Sequence, residues 1–136
     1  MSKVETMNKI MAESKTIAVV GLSSKHGRAG YYVPAYLQEQ GYQIIPVNPN
    51  LEQSLGQTAY PTLAAVPDSI DLVLIFQRSH KVPPFVTQSI EAGAKAVWMQ
   101  LGIANPAAAL EASKAGLDVV QDACMLVEHR RWQGTV

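Results

Sequence analysis

Short apolar runs alternate with helical patterns along this chain. The apolar runs are continuous, as expected for strands that helices cover on both faces. Helical periods fall between them at Gly30–Gln40, Val82–Ala92 and Pro106–Ala115, and a glycine, common after helix ends, follows each. This alternation predicts an α/β fold with a parallel sheet. The five β-rich runs are Thr16–Val20, Gln43–Val47, Leu72–Phe76, Ala94–Met99 and Leu117–Val120.

Three further segments complete the predicted elements. Val4–Ser14 has the pattern of an amphipathic helix, with Val4, Met7, Ile10 and Met11 on one face. Ala123–Trp132 is a candidate for a last helix that closes the sheet. The link Leu51–Pro67 lacks a clear helical period, and we expect a short extended piece near Thr58–Tyr60 and a brief helix at Thr62–Val66.

Composition predicts one globular domain over residues 1–136, with an N-terminal helix at 1–15 and the core at 16–136. Hydrophobic residues make up 48% and charged residues 16%, which excludes general disorder. Eleven basic residues balance 11 acidic ones, so no overall field favours nucleic acid. The chain has one cysteine, Cys124, which suits a reducing compartment. Its longest apolar run, Leu72–Phe76, is too short to cross a bilayer. We therefore expect a soluble cytoplasmic protein with no nucleic-acid or membrane partner.

The charges are unevenly placed relative to the predicted strands. Lys25, His26 and Arg28 follow the first strand, and Arg78, His80 and Lys81 follow the third, whereas segments 40–51, 72–90 and 92–110 contain no acid. Ligands of doubly wound sheets bind beyond the carboxyl ends of the strands. A basic crevice at that rim attracts anionic small molecules. Many acids instead mark the opposite rim, among them Glu39, Asp68, Asp71, Glu91 and Asp118.

The loop Gly21–Gly30 offers backbone N–H groups and a helix N-terminus, which together favour a phosphate. The dinucleotide fingerprint G-x-G-x-x-G is out of register here, and the second strand ends at Asn48 without the carboxylate that holds a ribose. A P-loop is absent. An NAD(P)-dependent enzyme or nucleotide sensor stays open as the alternative, because Lys25 or Arg28 would accommodate a 2′-phosphate.

Four spaced motifs then become informative together: VVGLSSKHGRAG, IIPVNPN, DLVLIFQR and AVWMQLGI, followed later by VVQDACM. In this order they resemble the small stand-alone CoA-binding domain proteins, which are similar to the CoA-binding domain of the succinyl-CoA synthetase α-subunit. The resemblance extends from about Thr16 to Arg131. It implies a Rossmann-like three-layer αβα sandwich with a five-stranded, mainly parallel doubly wound sheet, and coenzyme A (CoA) or an acyl-CoA as the ligand.

The resemblance also implies roles for residues at the matching positions. Gly21, Ser23, Ser24 and Lys25 would approach the ADP phosphates, with Arg28 as a charged clamp. Asn48 and Pro49 would border the adenosine portion, and Phe76 and Arg78 would line the crevice beside it. Gln100, Leu101 and Gly102 would face the pantetheine arm. Arginine suits bidentate phosphate contact, which agrees with Arg28 and Arg78 as ligands of a polyanion.

We expect binding without catalysis by the chain itself. In the synthetase a second domain carries a phosphorylated histidine, for which 136 residues leave no room, and His26, His80 and His129 lie in no matching context. An acyl-CoA-handling enzyme that uses Cys124 or Asp122 is a third hypothesis. For these two residues a packed thiol and a cap of the last helix are the preferred interpretations. No spacing indicates a metal site, and a homodimer or protein partner through the Val4–Ser14 helix stays open.

Overall fold

The computed structural model describes residues 1–134 and contains one five-stranded parallel sheet with helices on both faces. Every predicted main strand and helix is present, with ends shifted by a few residues. The strands are β1 (Thr16–Val20), β2 (Gln43–Val47), β3 (Gln53–Ser54), β4 (Gln57–Thr58), β5 (Leu72–Ile75), β6 (Ala96–Met99) and β7 (Asp118–Val120). The α-helices are α1 (Lys3–Glu13), α2 (Ala29–Glu39), α3 (Val82–Glu91), α4 (Pro106–Lys114) and α5 (Met125–Gln133).

The order of the parallel strands, β2-β1-β5-β6-β7, contains the reversal of direction that creates a crevice. β1 pairs with β2 on one side and with β5 on the other, all in parallel register. The connections from β1 and β5 therefore leave the sheet side by side at the same rim. This is a Rossmann-like α/β fold, as the resemblance implied.

Side chains alternate between two cores, one on each face of the sheet. Ile17, Val19, Leu72, Leu74 and Trp98 belong to one buried cluster together with residues of α1, α2 and α5. The neighbouring strand positions form the other cluster with residues of α3 and α4. Trp98 is fully buried, and its indole N–H donates to the carbonyl of Ala123 at 2.9 Å.

The N-terminal helix α1 buries most of its predicted amphipathic face. Ser2 and Glu5 form a reciprocal capping box that fixes where the helix begins. Met7, Ile10 and Met11 are buried, whereas Val4, which lines a groove together with Met7, is 58% exposed. The first turn of α1 extends past the core, which leaves an aliphatic side chain at the surface.

The link between β2 and β5 contains both expected features and, in addition, a short hairpin. β3 and β4 form a two-residue antiparallel hairpin, and the predicted extended piece is confined to Thr58 and the bridge between Val47 and Tyr60. The brief helix is a 3-10 turn at Leu63–Ala65, inside the predicted range. Leu55 and Gly56 at the hairpin tip have φ of 54° and 71°. Strands and turns this short have no hydrophobic periodicity, so the sequence pattern did not predict the hairpin.

At the opposite rim, the side chain of Asp71 links the start of β5 to the start of β1. The carboxylate of Asp71 accepts the backbone N–H groups of Lys15 and Thr16, both at 2.9 Å, where β1 begins. Burial raises the pKa of this carboxyl, but the two N–H donors and Lys95 outweigh that effect, and the pKa lies below its usual value.

Within residues 1–134, no helix is both long enough and apolar enough to cross a bilayer.

Candidate functional site

A cavity of about 860 Å³ opens at the rim where β1, β2, β5 and β6 end. Loops that follow these strands supply its walls, so it occupies the place where doubly wound sheets bind ligands. The lining residues are Gly21, Leu22, Ser23, Ser24, Lys25, Arg28, Ala29, Gly30, Asn48, Asn50, Leu51, Phe76, Gln77, Arg78, Ser79, Gln100, Leu101, Gly102 and Ile103.

The loop after β1 turns sharply at Gly21, whose φ is 82°. A β-carbon at this position would lie 2.3 Å from the carbonyl oxygen of Phe76, a contact that the packed backbone of the next loop forbids. The Ser23 N–H then donates to the carbonyl of Gly30 at 3.0 Å, which folds the loop back over the start of α2. Glycine is therefore required at Gly21, because the two loops meet backbone against backbone.

Asn48 joins the loops that follow β1 and β2. Its amide Nδ2 donates to the carbonyl of Leu22 at 2.9 Å, and its Oδ1 accepts the N–H of Asn50 at the same distance. The residue that replaces the ribose-binding acid of dinucleotide folds thus organises the cavity wall. An amide has both a donor and an acceptor for these bonds, whereas a carboxylate would lack the donor.

The start of α2 is suited to an anion. No side chain caps its first turn, and Arg28 occupies the N-cap position. Unsatisfied N–H groups at a helix start carry a partial positive charge that attracts anions. Lys25, Arg28 and Arg78 are exposed, line the cavity and form no ion pair within residues 1–134. The lining residues named above include no acid, so the cavity is locally basic in a chain of zero net charge.

The structure brings together every predicted site residue except Pro49, which lies outside the cavity wall. Of the six residues expected to form the basic crevice, Lys25, Arg28 and Arg78 line the cavity, whereas His26, His80 and Lys81 do not. The His26 ring instead stacks on Tyr31, with ring centroids 4.1 Å apart. His80 and Lys81 belong to a 3-10 turn that points the chain into α3.

The turn after β6 is held by residues distant in sequence. The Asp122 carboxylate accepts the N–H of Gly102 at 2.7 Å, and the Asp122 N–H donates to the carbonyl of Ile103. The expected cap of α5 by Asp122 is therefore wrong, because this carboxylate is used across the rim. The Gln100 side-chain oxygen accepts the N–H of Met125 at 3.2 Å and partly satisfies the start of α5 instead.

Sequence reasoning missed some cavity residues, namely Leu22, Ala29, Gly30, Asn50, Leu51, Gln77, Ser79 and Ile103. All of them except Leu51 and Ser79 already lie within the motifs quoted above, where no role was assigned to them, and these two residues directly follow the second and third motifs. Asn50 and Leu51 carry a weaker signal. They reach the cavity because the chain reverses after Asn48 and the Leu51 N–H donates to the Asn48 carbonyl.

The other residues considered for catalysis, His129 and Cys124, do not line the cavity. His129 is buried between α2 and α5, where its Nδ1 lies 2.8 Å from the hydroxyl of Tyr36, and burial lowers its pKa. Burial, with a smaller contribution from Tyr36, raises the pKa of Tyr42 to about 12, and the Tyr42 hydroxyl donates to the carbonyl of Met11. Cys124 packs half-buried against the core, as expected for a structural thiol.

In the described part of the chain, no group of three or more potential ligands could hold a metal ion.

Comparison with protein families identifies a similar domain over most of the chain. A family described as "CoA binding domain" matches residues 15–130. The chain is 38% identical over 128 residues to the uncharacterized protein YneT of Bacillus subtilis, and the match covers 94% of each. A hypothetical protein from Pyrococcus horikoshii has a solved structure with a TM-score of 0.92 and 39% identity, covering 98% of this chain and 94% of that one.

Enzymes contain the same domain as a small part of their length. The chain is 31% identical over 83 residues to the ADP-forming acetate–CoA ligase II of Archaeoglobus fulgidus. This match covers 60% of the chain but only 12% of the ligase. The similarity therefore concerns one region of a much longer enzyme.

Proposed function

This chain belongs to the CoA binding domain family, and from that premise we propose that it binds coenzyme A in the cavity at the carboxyl ends of the strands. The observation that carries the proposal is the acid-free cavity wall with Lys25, Arg28 and Arg78 beside the uncapped start of α2. Coenzyme A has a pyrophosphate and a 3′-phosphate, so several unpaired cations and helix N–H groups match its charge. The whole chain acts as one binding domain.

Each part of the ligand has a complementary wall. The pyrophosphate lies against Gly21, Ser23, Ser24 and Lys25, with Arg28 as the clamp. The adenosine lies between Asn48 and Phe76, with Arg78 beside it and Pro49 at the outer edge. The pantetheine arm runs along Gln100, Leu101 and Gly102. In this arrangement the charged half of the ligand faces the basic loops and the less polar arm faces the exposed Leu101.

The proposed role is a binding module without chemistry of its own, and its location in the cytoplasm stays a prediction. The ligase reaction belongs to the longer relatives. Two of the groups that a catalytic interpretation would use are already hydrogen bonded, the Asp122 carboxylate to the Gly102 N–H and the His129 ring to Tyr36, and the Cys124 side chain packs against the core. The family and the basic cavity together support recognition of the ligand.

Titration calorimetry with coenzyme A and dephospho-CoA tests this proposal. A charge-assisted hydrogen bond contributes about 1.5–3 kcal/mol, so loss of the 3′-phosphate should weaken binding by roughly 10- to 100-fold. Arg28→Met should weaken both ligands alike. Lys81→Met is the matched control, since Lys81 is an exposed cation near the same rim that does not line the cavity, and it should leave both affinities unchanged. Negligible heat with both ligands would refute coenzyme A binding.

An NADP-dependent enzyme or sensor is the second candidate. It is favoured by Lys25 and Arg28, which would accommodate a 2′-phosphate, together with the absence of a carboxylate at Asn48. Titration with NADPH, followed by its fluorescence, separates the two functions. Binding of NADPH without binding of coenzyme A would select this candidate, whereas no NADPH binding at millimolar cofactor would remove it.

A further inference from the structure

A second, smaller groove adjoins the cavity beside the turn after β6. We name it the α1–α5 groove, because the first turns of these two helices form its sides. Its volume is about 410 Å³. Its less polar lining residues are Val4, Met7, Leu101, Ala123, Cys124 and Val127.

Aliphatic side chains are unusually exposed in this groove. Val4 is 58% exposed, Leu101 65% and Val127 38%, and all three are among the exposed large hydrophobic residues of the described chain. They come from α1, from the turn after β6 and from α5, so tertiary structure gathers them at one place. Single exposed aliphatic residues are ordinary, but a cluster that converges on a groove indicates a surface that an apolar group covers.

The acidic residues at the groove already have hydrogen-bond or ion-pair partners. The Asp122 carboxylate accepts the Gly102 N–H at 2.7 Å, and Glu128 pairs with Arg131 at 2.7 Å. Lys3 completes the rim. Because its acids have partners already, the groove presents mainly its aliphatic side chains to a ligand.

Leu101 connects the two spaces, since it lines both the basic cavity and the α1–α5 groove. Gly102 lies in the cavity wall and is bonded to Asp122, which lines the groove. An extended arm that enters along Gln100–Gly102 therefore ends beside the groove. A group attached to the end of that arm would lie against Leu101, Val4 and Val127.

We propose that the ligand is an acyl-CoA whose aliphatic acyl chain lies in the α1–α5 groove. This inference rests on the proposed binding of coenzyme A in the cavity, and it selects the acylated form over the free thiol. The continuity through Leu101 supports the path of the chain, and the exposed aliphatic residues supply the contact. The groove acts in recognition, and no covalent step is involved.

Calorimetric titration with coenzyme A, butyryl-CoA and hexanoyl-CoA tests the inference. A methylene that leaves water tightens binding by up to about fourfold, so affinity should rise with chain length and hexanoyl-CoA should bind at least about tenfold more tightly than coenzyme A. The double variant Val4→Ser/Val127→Ser should remove most of this preference and leave the affinity for coenzyme A unchanged. Both residues line the groove but not the cavity.

Leu110→Ser is the matched control. Leu110 is 56% exposed on α4 and lies outside both spaces, so its replacement should keep the full preference for hexanoyl-CoA. Thermal melting followed by circular dichroism confirms that each variant is folded, and these exposed positions make large losses of stability unexpected.

The failures are distinguishable. Equal affinities of the wild type for coenzyme A and hexanoyl-CoA would overturn the acyl groove and leave the proposed function standing. Absence of binding by either ligand would overturn both. A preference that survives in the double variant would place the acyl chain elsewhere and refute the groove. Sedimentation that shows a dimer which the double variant dissociates, together with equal affinities, would instead identify the groove as a contact between two copies.

Discussion

At the scale of single residues, the cavity depends on a few contacts to the backbone of neighbouring loops. Gly21 lies against the carbonyl of Phe76, Asn48 bonds to Leu22, and Asp122 bonds to Gly102. Each contact joins loops that follow different strands. The positions of the ligand-facing groups therefore depend on residues that need not touch the ligand.

Replacement of Gly21 by alanine tests the closest of these contacts. The positive φ and the clash with Phe76 together should lower the free energy of unfolding by about 3 kcal/mol. Gly27→Ala is the matched control, because a β-carbon there meets nothing within 4 Å, and it should change the free energy by no more than about 0.5 kcal/mol. Urea unfolding measures both. Equal losses would show that the close approach of the two loops contributes no strain.

At the scale of elements, α5 packs against α2 through an aromatic cluster around the buried His129. The His129 ring lies edge-on to Tyr36, Tyr42 and Trp132, with centroids 5.4–5.7 Å apart. Its Nδ1 is hydrogen bonded to the Tyr36 hydroxyl. α2 begins at the cavity, and α5 begins beside the turn after β6. The cluster therefore fixes the position of these two helices relative to each other.

The cluster should make stability sensitive to mild acid. Burial lowers the pKa of folded His129 below the ordinary 6.5, so the unfolded chain takes up a proton at a higher pH than the folded one. The contribution of the neutral ring is complete above pH 6.5 and is lost as the pH falls from there through the folded pKa. Melting temperatures between pH 7.5 and 5 should decline for the wild type, and His129→Gln should flatten this decline.

His80→Gln is the control for this measurement, because His80 is exposed and lies in the 3-10 turn before α3. It should keep the decline of the wild type. A His129→Gln protein with an unchanged pH profile would assign the acid sensitivity to other groups, such as the rim carboxylates.

At the scale of the whole molecule, the cavity is locally basic although the net charge is zero. Lys25, Arg28 and Arg78 line the cavity without an acid beside them, whereas Asp71 and Asp118 at the other end of the strands each pair with a lysine. Parallel strands make this possible, because all their carboxyl ends point to one rim and all their amino ends to the other. The local field at the cavity then differs from that of the whole chain.

Binding of coenzyme A should therefore weaken with salt despite the neutral chain. Screening shortens the range of charge interactions from about 10 Å at 0.1 M to about 3 Å at 1 M ionic strength. Calorimetry in sodium chloride should show a steady loss of affinity, and Arg28→Met should reduce the slope relative to Lys81→Met. An affinity that is independent of salt would assign recognition to neutral hydrogen bonds instead.

The sequence by itself determined the alternation of strands and helices, the parallel sheet and the rim at which the cations gather. These follow from local periodicity and from the fact that successive loops after parallel strands share one edge. Tertiary structure alone decided which cations face the cavity, that Asp122 bonds to Gly102 rather than capping α5, and that Val4, Leu101 and Val127 converge in one groove. Those outcomes depend on contacts between residues far apart in the chain, and local patterns carry no information about such distances.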